Sequence, residues 1–329
     1  MAALATPMAL RVAVTLNLPD RLRGPGAPVE DLAPELDADP VALDLLLAHL
    51  TTLGIVDRHG DTYRTTEYGT NLCTDAGNGL ANLLDLNTAG GRAELAFVEL
   101  AHSVTTGRAA YPHRYGQDFY ADLTDHPRLR ESFDHQMTHR IRDQLAELVA
   151  TYDWSRFTTL VDVGGGRGTV LAAILAAHPE MHGHLIDLPP TAAEARHTFT
   201  TQGVAARTQT TPASFFDPLP PGADAYLLLD ILHNWDDEHA HRILTRCTEA
   251  AGPTGRILVV EPVGDRHAET EFNLAMLAIF GSRERTIDEF RALAAPHGLT
   301  LASVTDLTHQ RCLLEFSPAT PAPATADPA

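Results

Sequence analysis

A glycine-rich segment near the middle of the chain has the residue types and spacing of a nucleoside-binding loop. The segment 164–168 follows the apolar stretch 159–163 and precedes a helical pattern. Glycines allow a tight turn there and let a ligand approach the backbone closely. Asp187 ends the next predicted strand, 183–187, where a carboxylate can accept hydrogen bonds from both hydroxyls of a ribose. The pattern predicts a nucleoside site, and the competing interpretation is a glycine-rich connection that binds nothing.

The spacing of the glycines argues against a dinucleotide. The dinucleotide fingerprint GxGxxG needs a glycine where this chain has Thr169, and the spacing here is GxGxG. A dinucleotide relies on the helix N-terminus after the loop to hold its pyrophosphate. The pattern therefore favours a cofactor that has a ribose and no phosphate over NAD.

A single histidine has the position of a general base. His233 lies between the predicted strand 225–229 and a helix that begins near Asp236, at the sheet edge where open α/β proteins hold their sites. Imidazole, with a free pKa of about 6.5, can take a proton from a phenol, whose pKa of about 10 keeps it protonated at neutral pH. Glu261 ends the next predicted strand on the same edge and could fix the imidazole tautomer, with Glu284 as a second candidate.

Metal and disulfide chemistry are not predicted. The acidic residues and histidines of 233–239 show neither HExxH nor two histidines on one helix face, and Asp236 is better explained as a helix cap. Cys73, Cys247 and Cys312 lie far apart and form no CxxC pair. We therefore expect neither a disulfide framework nor a cysteine zinc site.

Length and charge limit the class of protein. A chain of 329 residues is long enough for about two domains. Its formal net charge of −19 would be repelled by phosphate backbones, so we expect no nucleic-acid partner. No apolar run approaches the roughly 20 residues that cross a bilayer, and the N-terminus has no basic region of a signal peptide. We expect a cytoplasmic protein with no membrane partner.

The first 150 residues are predicted to be mostly helical. Asp39 and Pro40 form a good helix start, and five leucines between positions 43 and 53 recur at helical spacing. Two short strands, 55–58 and 62–65, then form a hairpin. This order is typical of a winged helix-turn-helix. The helix in the position of a DNA-recognition helix is leucine-rich, and the residues around it are not basic, which favours a structural role such as dimerisation. A DNA-binding regulator with a ligand domain remains an alternative.

One long helix, 127–150, is predicted at the end of this region. Its apolar stripe would pack in the core, although residues near the domain junction could face a ligand; the stripe comprises Leu129, Phe133, Met137, Ile141, Leu145 and Leu148.

The second half alternates short strands with helices. Strands are predicted at 159–163, 183–187, 206–210, 225–229 and 256–261, with helices at 168–178 and 237–251 among them. Such alternation predicts an α/β fold, a Rossmann-like, doubly wound and mostly parallel sheet covered on both faces. We assign it to residues 151–317, after a helical, winged-helix-like domain at 1–150. The Ala/Pro/Thr-rich tail, 318–329, is predicted to be disordered.

Several motifs of the second half occur in an order typical of one family. They read VDVGGGRG at 161–168, GHLIDLP at 183–189, SFFDPLPPGADAYLL at 214–228, LHNWDDE at 232–238, GRILVVEP at 255–262 and RERT at 283–286. With them the chain resembles the class I S-adenosylmethionine-dependent small-molecule O-methyltransferases, which include plant caffeate-type and bacterial polyketide enzymes. The first half is similar to the dimerisation region of that family. The resemblance implies a histidine-assisted SN2 methyl transfer from S-adenosylmethionine to a hydroxyl of an aromatic, polyketide-like acceptor by a homodimer.

The resemblance also implies roles for particular residues. Those expected around the cofactor are Gly164 and Gly166 at its methionine part, Asp187 and Leu188 at the ribose, and Ser214, Phe215 and Leu229 near the adenine. His233 would be the general base, flanked by Glu261 and Glu284. The acceptor pocket would include Met137, Asn273, Met276 and Phe280.

Four positions depart from the family pattern. Ser214 stands where the family often has Asp, Leu229 where it often has Lys or another polar residue, and Asn234 where Asp usually follows the catalytic histidine. Asn273 begins the segment usually written DLxML. These departures leave open a second enzymatic interpretation, in which the cofactor serves hydroxylation or decarboxylation instead of methyl transfer.

Overall fold

The computed structural model describes residues 4–266 and 269–319, which divide into two compact units. Unit 1 takes residues up to 98 together with 117–140, and unit 2 takes 99–116 together with the described residues from 141 onward. The chain thus passes between the units three times, whereas the sequence-based division was one cut after residue 150. Of the predicted disordered tail, Pro318 ends a strand, and the residues from 320 onward lie outside the described ranges.

The elements are labelled here in chain order. The helices are α1 (Ala5–Thr15), α2 (Leu18–Arg21), α3 (Val29–Glu35), α4 (Pro40–Thr52), α5 (Leu80–Leu84), α6 (Ala89–Leu95), α7 (Leu100–Thr106), α8 (Ala110–Tyr115), α9 (Phe119–Asp125), α10 (Pro127–Arg142), α11 (Leu145–Thr151), α12 (Thr169–Ala177), α13 (Pro189–Thr201), α14 (Asp237–Ala251), α15 (Thr270–Phe280) and α16 (Ile287–Ala294). The strands are β1 (Ala27–Pro28), β2 (Val56–His59), β3 (Thr62–Thr65), β4 (Thr159–Val163), β5 (His182–Asp187), β6 (Thr208–Pro212), β7 (Ala225–Leu229), β8 (Arg256–Glu261), β9 (Leu299–Asp306) and β10 (Cys312–Pro318). Within the described ranges, no helix is long and apolar enough to cross a lipid bilayer.

Unit 1 contains the predicted helix–helix–hairpin order. Helix α4 begins as expected, because the Asp39 side chain accepts a hydrogen bond from the N–H of Ala42 at 2.8 Å and Pro40 opens the helix. Its buried face carries Leu43, Leu47 and Leu50, which pack in the core of this unit. The hairpin β2–β3 is joined by β1 into a small antiparallel sheet, in the order β1-β3-β2. The winged-helix-like prediction is confirmed.

The prediction of one continuous helix over 127–150 was wrong. Helix α10 ends at Arg142 and α11 begins at Leu145. Gln144, between them, is buried, and its side-chain oxygen accepts a hydrogen bond from Arg311 at 2.9 Å. The apolar spacing continues across the break, so periodicity alone does not reveal it. The break between the two helices coincides with the hydrogen bond between Gln144 and Arg311, which lie 167 positions apart in the chain.

Unit 2 is built on a seven-stranded sheet in the order β6-β5-β4-β7-β8-β10-β9. The first five strands are parallel, and β10 runs antiparallel to both of its neighbours. Buried side chains of α14 and α16 belong to the apolar cluster on one face, and those of α12 and α13 belong to the cluster on the other. The Rossmann-like, doubly wound prediction is confirmed. The strand order reverses direction at β4, so the carboxyl ends of β4, β5, β7 and β8 form the edge at which such folds bind ligands.

Candidate active site

The glycine loop after β4 brings three segments of unit 2 together. Gly164 and Gly166 adopt left-handed φ angles of 74° and 60°, which side chains rarely adopt. A Cβ atom on Gly164 would lie 2.6 Å from Ile231 and 3.4 Å from Phe215. Only glycine therefore permits this close approach. A Cβ atom on Gly166 would meet nothing within 4 Å, so the loop has open space beside it.

The carboxylate of Asp187 lies against this loop. One oxygen accepts a hydrogen bond from the N–H of Gly166 at 2.8 Å, and the other accepts from the N–H of Leu188 at 2.7 Å. Each carboxylate oxygen can accept further hydrogen bonds, as a ribose hydroxyl would require. The fold thus brings together most residues expected at the cofactor: Gly164, Gly166, Asp187, Leu188 and Phe215.

The remaining two expected cofactor residues contribute differently. The hydroxyl oxygen of Ser214 accepts a hydrogen bond from the N–H of Phe216 at 3.2 Å, so this serine shapes the turn after β6. Leu229 ends β7 and packs partly buried against the apolar cluster that contains α12 and α13. At this position the side chain offers apolar contact in place of the polar contact common in the family.

A buried acid beneath the loop was missed by the sequence analysis. Asp162, on β4, is 2% exposed, and its Oδ2 has no hydrogen-bond partner among the described residues. Burial, and secondly the negative charge of Asp187, raise the pKa of Asp162 to about 7. The signal was present, because an acid interrupts the otherwise apolar strand TLVDV. Two acidic side chains and a ribose-compatible loop fit a ligand that is a nucleoside and carries positive charge.

His233 is 2% exposed and lies in a short 3-10 turn that follows β7. The backbone N–H of His233 donates a hydrogen bond to Glu261 Oε1 at 3.1 Å, and its backbone carbonyl oxygen accepts one from the hydroxyl of Ser282 at 2.6 Å. The ring centroid of Phe272 is 6.1 Å from that of the imidazole. The side chains of Glu261 and Ser282 therefore both hold the backbone of this turn. Sequence patterns did not indicate the role of Ser282.

Glu261 is fully buried at the end of β8. Burial raises the pKa of its carboxyl to about 8, although the positive charge of Arg285 opposes the change. The carboxyl is thus mostly protonated at neutral pH. Glu261 Oε2 has no hydrogen-bond partner among the residues that the structure describes.

Arg285 ties the turn to the loop before α16. Its guanidinium donates hydrogen bonds to the carbonyl oxygens of Leu232 and Trp235, each at 2.8 Å, and forms an ion pair with Asp237 at 2.8 Å. Carbonyl groups on both sides of His233 are therefore fixed by one buried side chain. In the sequence this arginine stands out only as part of the motif RERT.

Asn273 and Glu284 form a reciprocal pair. Asn273 Oδ1 accepts a hydrogen bond from the N–H of Glu284 at 2.9 Å, and its amide nitrogen donates to Glu284 Oε2 at 3.3 Å. Glu284 is buried. The asparagine that replaces the usual acid thus holds the second expected carboxylate. On the same helix, α15, Met276 is buried and Phe280 is half-buried, whereas Met137 lies on α10 in unit 1.

The site residues of unit 2 share one edge of the sheet. Asp187 ends β5 and His233 lies in the turn after β7, with only β4 between those strands. A carboxylate suited to a ribose and an imidazole suited to a hydroxyl proton therefore lie at the same ligand-binding edge. This arrangement can hold a nucleoside cofactor and assist proton removal from a second molecule.

Comparison with known proteins gives the family. Residues 97–300 match the model of the O-methyltransferase domain, and residues 1–75 match that of the O-methyltransferase dimerisation domain. The 2,7-dihydroxy-5-methyl-1-naphthoate 7-O-methyltransferase of Streptomyces carzinostaticus is 44% identical over 94% of each chain. The aclacinomycin 10-hydroxylase RdmB of Streptomyces purpurascens is 40% identical, over 95% of this chain and 88% of its own.

A solved structure of an O-methyltransferase is also similar to this chain. An O-methyltransferase from neocarzinostatin biosynthesis, in complex with S-adenosylmethionine and 2-hydroxy-5-methyl naphthoic acid, is 42% identical. It superposes with a TM-score of 0.90 over 96% of this chain and 97% of its own. The chain described here belongs to the family of S-adenosylmethionine-dependent O-methyltransferases.

Proposed function

We propose that this chain methylates a phenolic or enolic hydroxyl of a polycyclic aromatic natural product, with His233 as the general base. The observation that carries the proposal is the placement of a buried histidine at the same sheet edge as the Asp187 carboxylate, with one strand, β4, between their two strands. The acceptor class is supported by the relatives, since one is named as acting on a dihydroxy naphthoate and another was solved with a hydroxy naphthoic acid.

The cofactor is held by the glycine loop and Asp187 in this proposal. When bound, S-adenosylmethionine supplies an electrophilic methyl group on a positively charged sulfur. Asp187 accepts hydrogen bonds from the ribose, with Leu188 beside it, and the bare backbone at Gly164 and Gly166 leaves room for the methionine part. Ser214, Phe215 and Leu229 border the adenine. The acids Asp162 and Asp187 favour a cationic ligand over a neutral one.

His233 takes the proton of the acceptor hydroxyl. The imidazole must be neutral to do so, and two features favour the neutral form. The ring is buried, and helix α14 begins four residues later, so the positive end of its dipole lies near. Glu261, mostly protonated at neutral pH, holds the turn without adding a full negative charge. Glu284, fixed by Asn273, is the second group that orients the histidine.

The acceptor is held against α15. Phe272, Met276 and Phe280 are apolar side chains of one helix, and the ring centroid of Phe272 lies 6.1 Å from that of the imidazole. Flat apolar surfaces suit a fused aromatic ring, and orientation of two reactants can supply up to about 7–11 kcal/mol of the barrier. Asn273 is a further proposed acceptor contact on this helix. The match to a dimerisation domain supports a homodimer.

A second candidate is hydroxylation of the aromatic acceptor. It is favoured by one specific observation, the 40% identity to a relative named as a 10-hydroxylase. Hydroxylation would take one oxygen atom from O₂ and release the other as water with two electrons from an added thiol reductant, so the assay is run in air with a thiol present. Product mass separates the two candidates, because methyl transfer adds one CH₂ and hydroxylation adds one oxygen atom.

The test uses the purified full chain, S-adenosylmethionine with a labelled methyl group, and a panel of hydroxylated naphthoic acids. We expect labelled methyl in the product. His233→Gln should lower kcat by about 10²–10⁴ and leave the calorimetric affinity for S-adenosylhomocysteine unchanged. His182→Gln, at an exposed site on β5, is the matched control. Full turnover by the His233 variant would disprove the general base, and oxygen gain without labelled methyl would establish the second candidate.

A further inference from the structure

The turn that carries His233 begins with a strained residue. Asp230 directly follows β7 and has a φ of 53°, in the left-handed region. Residues with a side chain adopt this conformation uncommonly, although Asp and Asn do so more often than most. Its N–H donates to the carbonyl oxygen of Val260 at 2.9 Å, and its own carbonyl oxygen accepts from the Asn234 amide at 2.9 Å. The path of the chain into His233 therefore depends on keeping Asp230 in an unfavourable conformation.

A buried arginine holds the side chain of Asp230. Arg311 is fully buried, and its Nε donates to Asp230 Oδ1 at 3.0 Å while Nη2 donates to Oδ2 at 2.7 Å. Two parallel hydrogen bonds from a planar guanidinium fix both the distance and the orientation of a carboxylate. The pair thus restrains the rotation of Asp230 as well as its position.

Arg311 is itself fixed by two other segments. It lies in the turn between β9 and β10, where its carbonyl oxygen accepts from the N–H of Leu307 at 2.9 Å. Its Nη1 donates to Gln144 Oε1 at 2.9 Å, and the Thr308 hydroxyl donates to the same oxygen at 2.7 Å. The break between α10 and α11 and the β9–β10 turn thereby converge on the residue that starts the catalytic turn.

We propose that Arg311 is a positioning residue for His233, acting through Asp230. The inference rests on the proposed role of His233 and extends it to a residue 78 positions away whose guanidinium binds Asp230 and Gln144. Loss of one partner of a buried ion pair leaves the other charge without compensation. Without Arg311 the Asp230 carboxylate turns toward water, the left-handed turn relaxes, and the imidazole loses its alignment with the acceptor hydroxyl.

The contrast variant is Arg311→Met, with Arg156→Met as control. Arg156 forms a similar two-pronged pair with the buried Glu315 of β10, and neither residue contacts the catalytic turn in its described bonds. We expect Arg311→Met to lower kcat by about ten- to hundredfold, with the KM for S-adenosylmethionine unchanged. Arg156→Met should lower Tm and leave kcat unchanged. Asp230→Asn, which tolerates the left-handed region and still accepts from Arg311, should keep more kcat than Asp230→Ala.

A second measurement does not depend on turnover. Amide hydrogen exchange of residues 230–236 should be faster in Arg311→Met than in the wild type or in Arg156→Met, because the His233 N–H bond to Glu261 opens more often. If Arg311→Met does not fold, Arg311→Lys serves, since it keeps the charge and loses the two-pronged geometry. Wild-type kcat and exchange in a folded Arg311 variant would overturn the proposal, as would an equal kcat loss in Arg156→Met. If the wild type transferred no methyl group, the proposed function would be refuted. The comparison of amide hydrogen exchange between the Arg311 and Arg156 variants would still test whether Arg311 holds the turn.

Discussion

The backbone N–H of His233 donates a hydrogen bond to Oε1 of Glu261, 3.1 Å away, and this bond joins the turn after β7 to the end of the neighbouring strand β8. The Glu261 carboxyl is fully buried, and burial raises its pKa to about 8. The acceptor of this bond is therefore a mostly neutral group at pH 7. Its role in holding the turn requires an oxygen at the right place, and a full negative charge is not needed for it.

Glu261→Gln tests this relationship. The amide keeps an oxygen for the His233 N–H, so we expect it to retain more kcat than Glu261→Ala, which removes the acceptor. The wild type should lose stability as pH rises from about 4.5 to about 8, because the folded pKa lies above the unfolded one and the neutral form favours folding. Glu261→Gln should lose less over that window. Urea unfolding at pH 5 and pH 8.5 measures this loss. An equal change in the free energy of unfolding between the two pH values in both proteins would contradict the prediction.

Asp162 should make cofactor binding depend on pH. Its pKa of about 7 means that raising the pH through neutrality ionises a carboxyl beneath the glycine loop, near Asp187. A negative charge there favours the positively charged sulfur of S-adenosylmethionine over the neutral sulfur of S-adenosylhomocysteine. We expect the affinity ratio of the two ligands to rise by about tenfold, or about 1.4 kcal/mol, between pH 6 and pH 8.

The control for that prediction is Asp162→Asn, which has the same shape and no titrating proton. Calorimetric titrations of both ligands at the two pH values should show a constant ratio in this variant. The variant should also become more stable relative to the wild type as pH rises from 3.8 through 7, by up to about 4 kcal/mol, because it avoids a buried charge. A ratio that changes equally in both proteins would assign the pH dependence to another group.

Gly164→Ala tests the close approach at the glycine loop. The left-handed conformation costs about 1–2 kcal/mol for alanine, and the new Cβ would also lie 2.6 Å from Ile231, two residues before His233. Gly203→Ala has a similar φ of 71° with no atom near its Cβ, so it isolates the conformational cost. We expect both variants to lower Tm and only Gly164→Ala to weaken S-adenosylhomocysteine binding. Equal binding by the two variants, measured by calorimetry, would show that the contact with Ile231 is unimportant.

Local patterns were sufficient to predict the fold of unit 2, and they placed the candidate site residues Asp187 and His233 at one edge of its sheet. Apolar runs separated by helical segments predicted a parallel sheet, and the carboxyl ends of parallel strands meet at one edge whatever their order. Asp187, at the end of one strand, and His233, in the turn after another, were therefore predicted to share that edge without knowledge of any long-range contact. The acid within β4, Asp162, was visible in the sequence and was overlooked as part of a motif.

By itself, the sequence determined the class of fold, the cofactor loop and the identity of the candidate base, because each of these depends on residues within a few positions of one another. Only the tertiary structure decided which distant side chains contact the turn that carries His233. Arg311 and Asp230 are 81 positions apart, and Gln144 is 167 positions from Arg311. No periodicity or spacing rule connects such residues, since burial of a charged pair is a property of the packed chain and becomes defined only when distant segments exclude water together.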